Sequence, residues 1–259
     1  MAEPRPAGPA PRPPAYDPGA FWQAVLSAHP DLRGTGEPGL SLAYNRAMYA
    51  IRERVLTREL AREGVDLTGA RVLDGGSGVG FYVDYYLRHG ADVTGVELTD
   101  AGTRLLRERF PAARILQGDL AELDAGGGYA VVNVWDVLYH ITDDARWEAA
   151  LRRLARAVAP AGLLLVSDVL APWRGRLAAH NVMRELPRYA AVLRDEGLAV
   201  RRTVPTHYLL NRSLGALKGL NRLPHLLHAI DRALLALGAP SPEPCNRLLV
   251  ARRAGAAGG

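Results

Sequence analysis

The chain has 259 residues, enough for one sizeable core, with a formal net charge of +5 and a sequence pI near 9.6. Lys218 is its only lysine, and the arginines are dispersed without the aromatic interleaving of a nucleic-acid channel, so a solvated surface rather than a nucleic-acid partner is expected. The single cysteine, Cys245, excludes an intrachain disulfide and a cysteine-built zinc site, and no secretory leader or apolar run of membrane-spanning length is visible, which predicts a cytoplasmic protein without a membrane partner.

Residues 1–18 hold seven prolines among alanine and glycine, a composition that cannot sustain helix hydrogen bonds, and are expected to be a disordered tail. Phe21 to Ala28 reads as a short helix and Pro30 to Gly39 as a loop. A longer helix starts near Ser41, with Tyr44, Ala47, Met48, Ile51 and Val55 on one face. Residues 19–65 thus form a helical cap ahead of the main domain, 66–259.

Residues 71–80 are a short apolar strand that runs into Asp74 and then into glycines at every second position, Gly76, Gly78 and Gly80. Side chains there would block both the strand-to-helix turn and the close approach of a ligand. A dinucleotide fingerprint needs glycines at its first, third and sixth positions, and the sixth position from Gly76 is Phe81. Residues 91–100 read as a second strand ending at Glu97, 23 positions beyond Asp74, where a carboxylate at a strand's carboxyl end can accept from ribose hydroxyls. The alternative for Glu97 is helix capping, for which Thr99 and Asp100 are better placed. A third strand, 114–120, closes on Asp119, whose alternative is a turn aspartate after Gly118. The segment 129–143 is a fourth strand followed by Tyr-His-Ile-Thr-Asp.

The pattern Asp-x-Gly-x-Gly-x-Gly at Asp74 to Gly80 resembles the first motif of class I methyltransferases, and the following segments come in that family's order over residues 66–170. The resemblance implies a seven-stranded, mostly parallel twisted α/β sheet with helices on both faces and an antiparallel last strand. It implies S-adenosylmethionine as cofactor, held by Asp74, Gly75, Gly76, Gly78, Glu97, Leu98, Asp119, Leu120 and Trp135. Tyr44 either reaches the cofactor or packs in the core. Two departures stand out: Ala130 where many members have aspartate, and Tyr139 in place of the first histidine of a pair.

Trp147, Ala150, Leu151, Leu154 and Val158 fall at helical spacing behind a Thr142 or Asp143 cap, and Pro160-Ala161-Gly162 opens a fifth strand, 163–168. The family more often has Pro-Gly-Gly there. A helix over 185–196 is ended by Gly197, and strands follow at 198–204 and 246–252, the last antiparallel. Between them, about 40 residues from Pro205 to Cys245 carry an amphipathic helix (Leu226, Leu227, Ile230, Leu234, Leu237) in an insertion at 207–240, expected to roof the acceptor pocket or to form a dimer surface.

Ligands bind at strand carboxyl ends in open α/β sheets. His140 is therefore the first candidate base, with loop fixing as its alternative; Asp168, His180 and His207 follow, and Tyr139 is placed to orient a substrate. No acid and asparagine grouping suggests a magnesium site, so metal independence is expected. The leading function is methyl transfer to oxygen, nitrogen or carbon of a small molecule in a bacterial biosynthetic pathway, with a homodimer open. Other readings are non-methyl chemistry on the same cofactor, either cyclisation of its aminobutyrate arm or a cofactor-assisted isomerisation, and RNA or protein methylation. The released product separates them, since S-adenosylhomocysteine marks methyl transfer and methylthioadenosine marks attack on the other carbon.

Overall fold

The computed structural model describes residues 16–176, 178–210, 214–241 and 245–253. The expected tail therefore lies almost wholly outside the described residues. Two helices come first, α1 (Pro18–Ala28) and α2 (Leu42–Arg62), the second capped by Ser41 Oγ on the Tyr44 amide. Then strands and helices alternate: β1 (Arg71–Gly75), α3 (Phe81–Arg88), β2 (Asp92–Glu97), α4 (Asp100–Arg109), β3 (Arg114–Gln117), β4 (Tyr129–Trp135), α5 (Asp144–Ala157) and β5 (Val158–Ala171). The chain closes with β6 (Arg184–Glu185), α6 (Leu186–Asp195), β7 (Leu198–Pro205), α7 (Pro224–Leu237) and β8 (Asn246–Arg253).

The main sheet runs β3-β2-β1-β4-β5-β8-β7, with β3, β2, β1, β4 and β5 parallel and β8 antiparallel to both of its neighbours. This is the predicted Rossmann-like order with its antiparallel last strand. An eighth strand was not expected: β6, two residues long, pairs with the far end of β5, and so short a segment carries no periodicity.

Successive side chains of a strand point to opposite faces, and here they feed two separate apolar layers. Val72, Val131, Leu163, Leu165 and Val250 pack with α2, α3 and α7, whereas Leu73, Val132, Leu164, Val166 and Leu249 pack with α5 and α6. Caps lie where the composition placed them: Thr99 on Gly102 for α4, Asp143 on Arg146 for α5, and Gly238 in the left-handed region after α7.

Near the start of β5 one residue has a disfavoured backbone conformation. Ala161 sits at φ 59°, a region disfavoured for a residue with a Cβ. Ala161→Gly is expected to raise stability by about 0.5–1 kcal/mol in chemical denaturation, the relief of strain outweighing the added freedom of the unfolded chain.

Candidate active site

The turn after β1 is held by its own backbone. The Gly76 and Ser77 amides donate to the Val96 carbonyl at 2.8 and 2.9 Å, and Ser77 Oγ donates back to the Asp74 carbonyl. Gly76 and Gly78 lie at φ 76° and 54°, and a Cβ would meet Val137 at 2.4 Å and Thr35 at 2.4 Å respectively. Glu97 accepts from the Gly78 amide through one oxygen and from the Thr99 amide and hydroxyl through the other, at 2.8–2.9 Å. Burial raises its carboxyl, and these donors counter the shift. Asp119 accepts from the Ala121 amide and pairs with Arg146 at 2.9 Å.

These groups line one cavity of about 800 Å³ at the carboxyl ends of β1, β2 and β4, within the usual size of a small-ligand site. Gly76, Gly78, Glu97, Leu98, Asp119, Leu120, Trp135, Tyr139, His140 and His180 are all on its walls.

Five of the expected site residues are not on its walls. Tyr44 is fully buried in the core on the inner face of α2, and Tyr49, further along the helix, is the tyrosine that faces the cavity. Gly75 points to the opposite side of the sheet, where a Cβ would meet Val134, Leu154 and Leu120. Asp74 lies beneath the glycine turn, held by Asn133 Nδ2 at 2.7 Å, and burial pushes its carboxyl up to about 6. Asp168 shares the strand parity of Leu164 and Val166, so it faces α6, where Tyr189 donates to it, and burial pushes it up to about 7. His207 is likewise off the cavity, buried beside Thr206. The described part of the insertion does not roof the cavity: α7 packs against α2, and no described residue between Thr206 and Ser241 lines it.

In place of Asp168 the strand ends present Asp136. It follows β4 at φ 57°, a backbone region that aspartate tolerates better than most residues. One oxygen pairs with Arg52 of α2 at 2.5 Å; the other accepts from Ser167 Oγ of β5 at 2.6 Å and Asn246 Nδ2 of β8 at 3.0 Å. Burial alone would raise this carboxyl, but Arg52, Ser167, Asn246 and His207 together hold it below the usual carboxylate range. The signal for Asp136 was its position at the end of a strand. That for Arg52 was a charge set between Ile51 and Val55 on an apolar stripe.

His140 forms the adjoining wall. Its Nδ1 lies 2.9 Å from the His180 carbonyl, which can only accept, so Nδ1 carries the proton and Nε2 is an acceptor. Burial lowers its pKa to about 4, the His180 carbonyl bond acting in the opposite sense. Trp22 of α1 meets the ring edge-on at 4.8 Å, and Phe21 stacks on His180 at 5.0 Å. The segment bearing His180 is itself fixed, through the Val182 amide on the Tyr139 carbonyl and Arg184 on Asp144. Among the described residues no three His, Cys, Asp or Glu side chains group as a metal site, and no helix is long and apolar enough to cross a membrane.

Residues 44–226 match the family described as "Methyltransferase domain". The chain belongs to the class I S-adenosylmethionine-dependent methyltransferases. It is similar to a ubiquinone biosynthesis O-methyltransferase of Rhodopseudomonas palustris, 29% identical over 130 residues, covering 47% of this chain and 50% of that protein. It is also similar to a trans-aconitate 2-methyltransferase of Delftia acidovorans, 30% identical over 168 residues, 60% of this chain and 59% of that one. The chain thus spans about half the length of the first of these curated relatives. Among solved structures, magnesium protoporphyrin IX methyltransferase from Synechocystis PCC 6803 with bound S-adenosylmethionine shares the fold at TM-score 0.60 and 18% identity, over 94% of this chain and 100% of that one.

In this methyltransferase fold, removing one partner of a buried pair leaves an uncompensated charge. Arg52→Ala is therefore expected to cost about 3–5 kcal/mol in chemical denaturation, and Arg52→Met with Asp136→Asn to recover most of it. The His140 ring is expected to titrate near 4 in an NMR pH series, well below the ordinary value of 6.5. A native pKa below the unfolded one means that stability is lost as pH falls from about 6.5 toward 4.

Proposed function

We propose that the protein transfers a methyl group from S-adenosylmethionine to a hydroxyl of a small, ring-bearing, uncharged acceptor. The observation that carries this reading is His140, a neutral histidine whose Nε2 accepts while its Nδ1–H is committed to the His180 carbonyl, set among Trp22, Phe21 and Tyr139. Rings on the walls favour a planar guest by offset or edge-on contact. Arg52 carries no net attraction for an anion, because Asp136 already balances it.

The residues present fit the cofactor. Gly76 and Gly78 border the cavity with bare backbone, where a Cβ would collide with the Val137 or Thr35 wall, and Glu97 Oε2, which takes the Gly78 amide, retains acceptor capacity for a hydroxyl. Leu98, Asp119 and Leu120 would border the adenine, and Trp135 Nε1 and Tyr82 OH, buried and unsatisfied in the cavity wall, would serve its polar end. When bound, the cofactor supplies a sulfonium-activated methyl group.

Little covalent help is then required of the chain, and orientation alone can supply roughly 7–11 kcal/mol of such a barrier. Tyr139, Asn181 and the rings of α1 would hold the acceptor and exclude water, while His140 Nε2 takes its proton as the oxygen is methylated. A base this weak belongs at the low end of the usual contribution, about 10²-fold. The concave cavity, walled on one side by Phe21, Trp22 and Val25 of α1, supports a small molecule over a polymer.

His140→Gln is expected to lower kcat about 10²-fold with cofactor affinity unchanged by calorimetry; wild-type turnover would remove His140 from the chemistry. The product to be measured is S-adenosylhomocysteine rather than methylthioadenosine, and turnover is expected to persist in a chelator.

A further inference from the structure

Beyond the cavity, the surface of the insertion has a composition that methyl transfer does not explain. In α7, Leu226, Ile230, Ala233 and Leu237 lie within roughly 60° of arc at about 100° per residue, and all four are exposed, Leu237 at 81%. The preceding 3-10 segment (Gly215–Arg222) and its exit add Leu217 at 64% and Leu223 at 50% exposure. Nearly all of the large exposed apolar side chains among the described residues are in this one element; the exception is Trp173.

Charge is equally one-sided. From Gly197 to Ser241 the sequence holds one acid, Asp231, and that carboxylate is fully buried, accepting from the amides of Tyr208, Leu209 and Leu210. Lys218, Arg222, His225 and Arg232 are exposed beside the leucines, and Lys218 is the one lysine of the chain. The other face of α7 is anchored: Leu227 and Leu235 are in the core, and His228 Nδ1 bonds the Ala47 carbonyl of α2. The exposed stripe is thus displayed by a rigid support.

We infer that this face is an interfacial docking surface for an anionic lipid bilayer. A helix lying in the interface plane needs an apolar stripe to enter the headgroup boundary and cations beside it to meet lipid phosphates, and this element carries both. A second copy of the chain fits less well. A two-fold contact would set Lys218, Arg222 and Arg232 of one copy against the same cations of the other, with no accessible acid in the segment to balance them.

The test is co-sedimentation of the whole protein with vesicles of phosphatidylcholine alone and of phosphatidylcholine with phosphatidylglycerol. Binding is expected only to the second, falling as salt is raised. Leu226→Glu with Ile230→Glu, and separately Lys218→Glu with Arg222→Glu, are each expected to lower partition at least ~10-fold; a surface helix of this kind depends on both terms. Both variants should bind S-adenosylmethionine as the wild type does, because neither pair lines the cavity. Failure of the wild type to bind phosphatidylglycerol vesicles, or equal binding by the variants, overturns the proposal. So does a wild-type dimer in ultracentrifugation that Leu226→Glu with Ile230→Glu dissolves without changing vesicle binding, which would assign the face to a second copy.

Discussion

The buried pair of Arg52 and Asp136 is the contact on which the arrangement of the site depends. Arg52 belongs to a helix outside the sheet and Asp136 to the tip of the central strand β4, 84 positions later. Taking both charges out of water is costly, and the cost is offset only if the remaining hydrogen-bonding capacity is used. Here Ser167 of β5 and Asn246 of β8 complete the carboxylate, so one side chain ties α2 to three strand ends. It also fixes the path of the chain: Asp136 is held at φ 57°, and the turn it makes sends Val137 against Gly76 and leaves Trp135 stacked on Tyr82 at 4.9 Å. A cavity wall is therefore built by an interaction that is itself electrically closed.

Strand parity does the rest of the sorting. Ser167 and Asp168 are adjacent in sequence, yet one completes the Asp136 site and the other sits among α5 and α6 with Tyr189 and Trp147. Asp74 and Gly75 separate in the same way, the acid toward Asn133 and the glycine toward Leu154. Anchors further along α2 keep it in register. Arg202 of β7 bonds Glu59 and Glu63, and Arg252 of β8 bonds Glu63, at 2.6–2.8 Å. With both ends fixed, Tyr49 is held to Thr35, and Thr35 in turn covers Gly78.

The parallel strands and their order were legible because each has a periodic or continuous apolar run ended by a distinctive residue. Glu97, Asp119, Trp135 and His140 come to one cavity because each stands at or just past a strand's carboxyl end. Where an expected residue lies off the cavity, a physical reason is visible. Asp168 was placed by strand end alone, without counting parity from Leu164. For Tyr44, of the two alternatives its place on the apolar face left open, its full burial with Met48 and Ile51 favours core packing. The partnership of Arg52 with Asp136 leaves no trace in local spacing, because it is made across the fold. For the insertion, periodicity located α7 but could not say which neighbour it would cover; Leu227 and Leu235 dock it on α2, away from the cavity.

The neutrality of His140 follows from this geometry and bears directly on the chemistry. An imidazolium between Trp22, His180 and Tyr139 would be poorly solvated by the rings around it, and burial disfavours that form, lowering the pKa to about 4. Protonation would also delete the lone pair on Nε2, the one ring position not already bonded to the His180 carbonyl. The same depression therefore serves two ends in the proposed reaction. It keeps a positive charge away from a cationic methyl donor, and it leaves an acceptor aimed at the guest. The cost is basicity, which is why positioning by α1 and the strand-four turn, rather than proton abstraction, should dominate the barrier in this site.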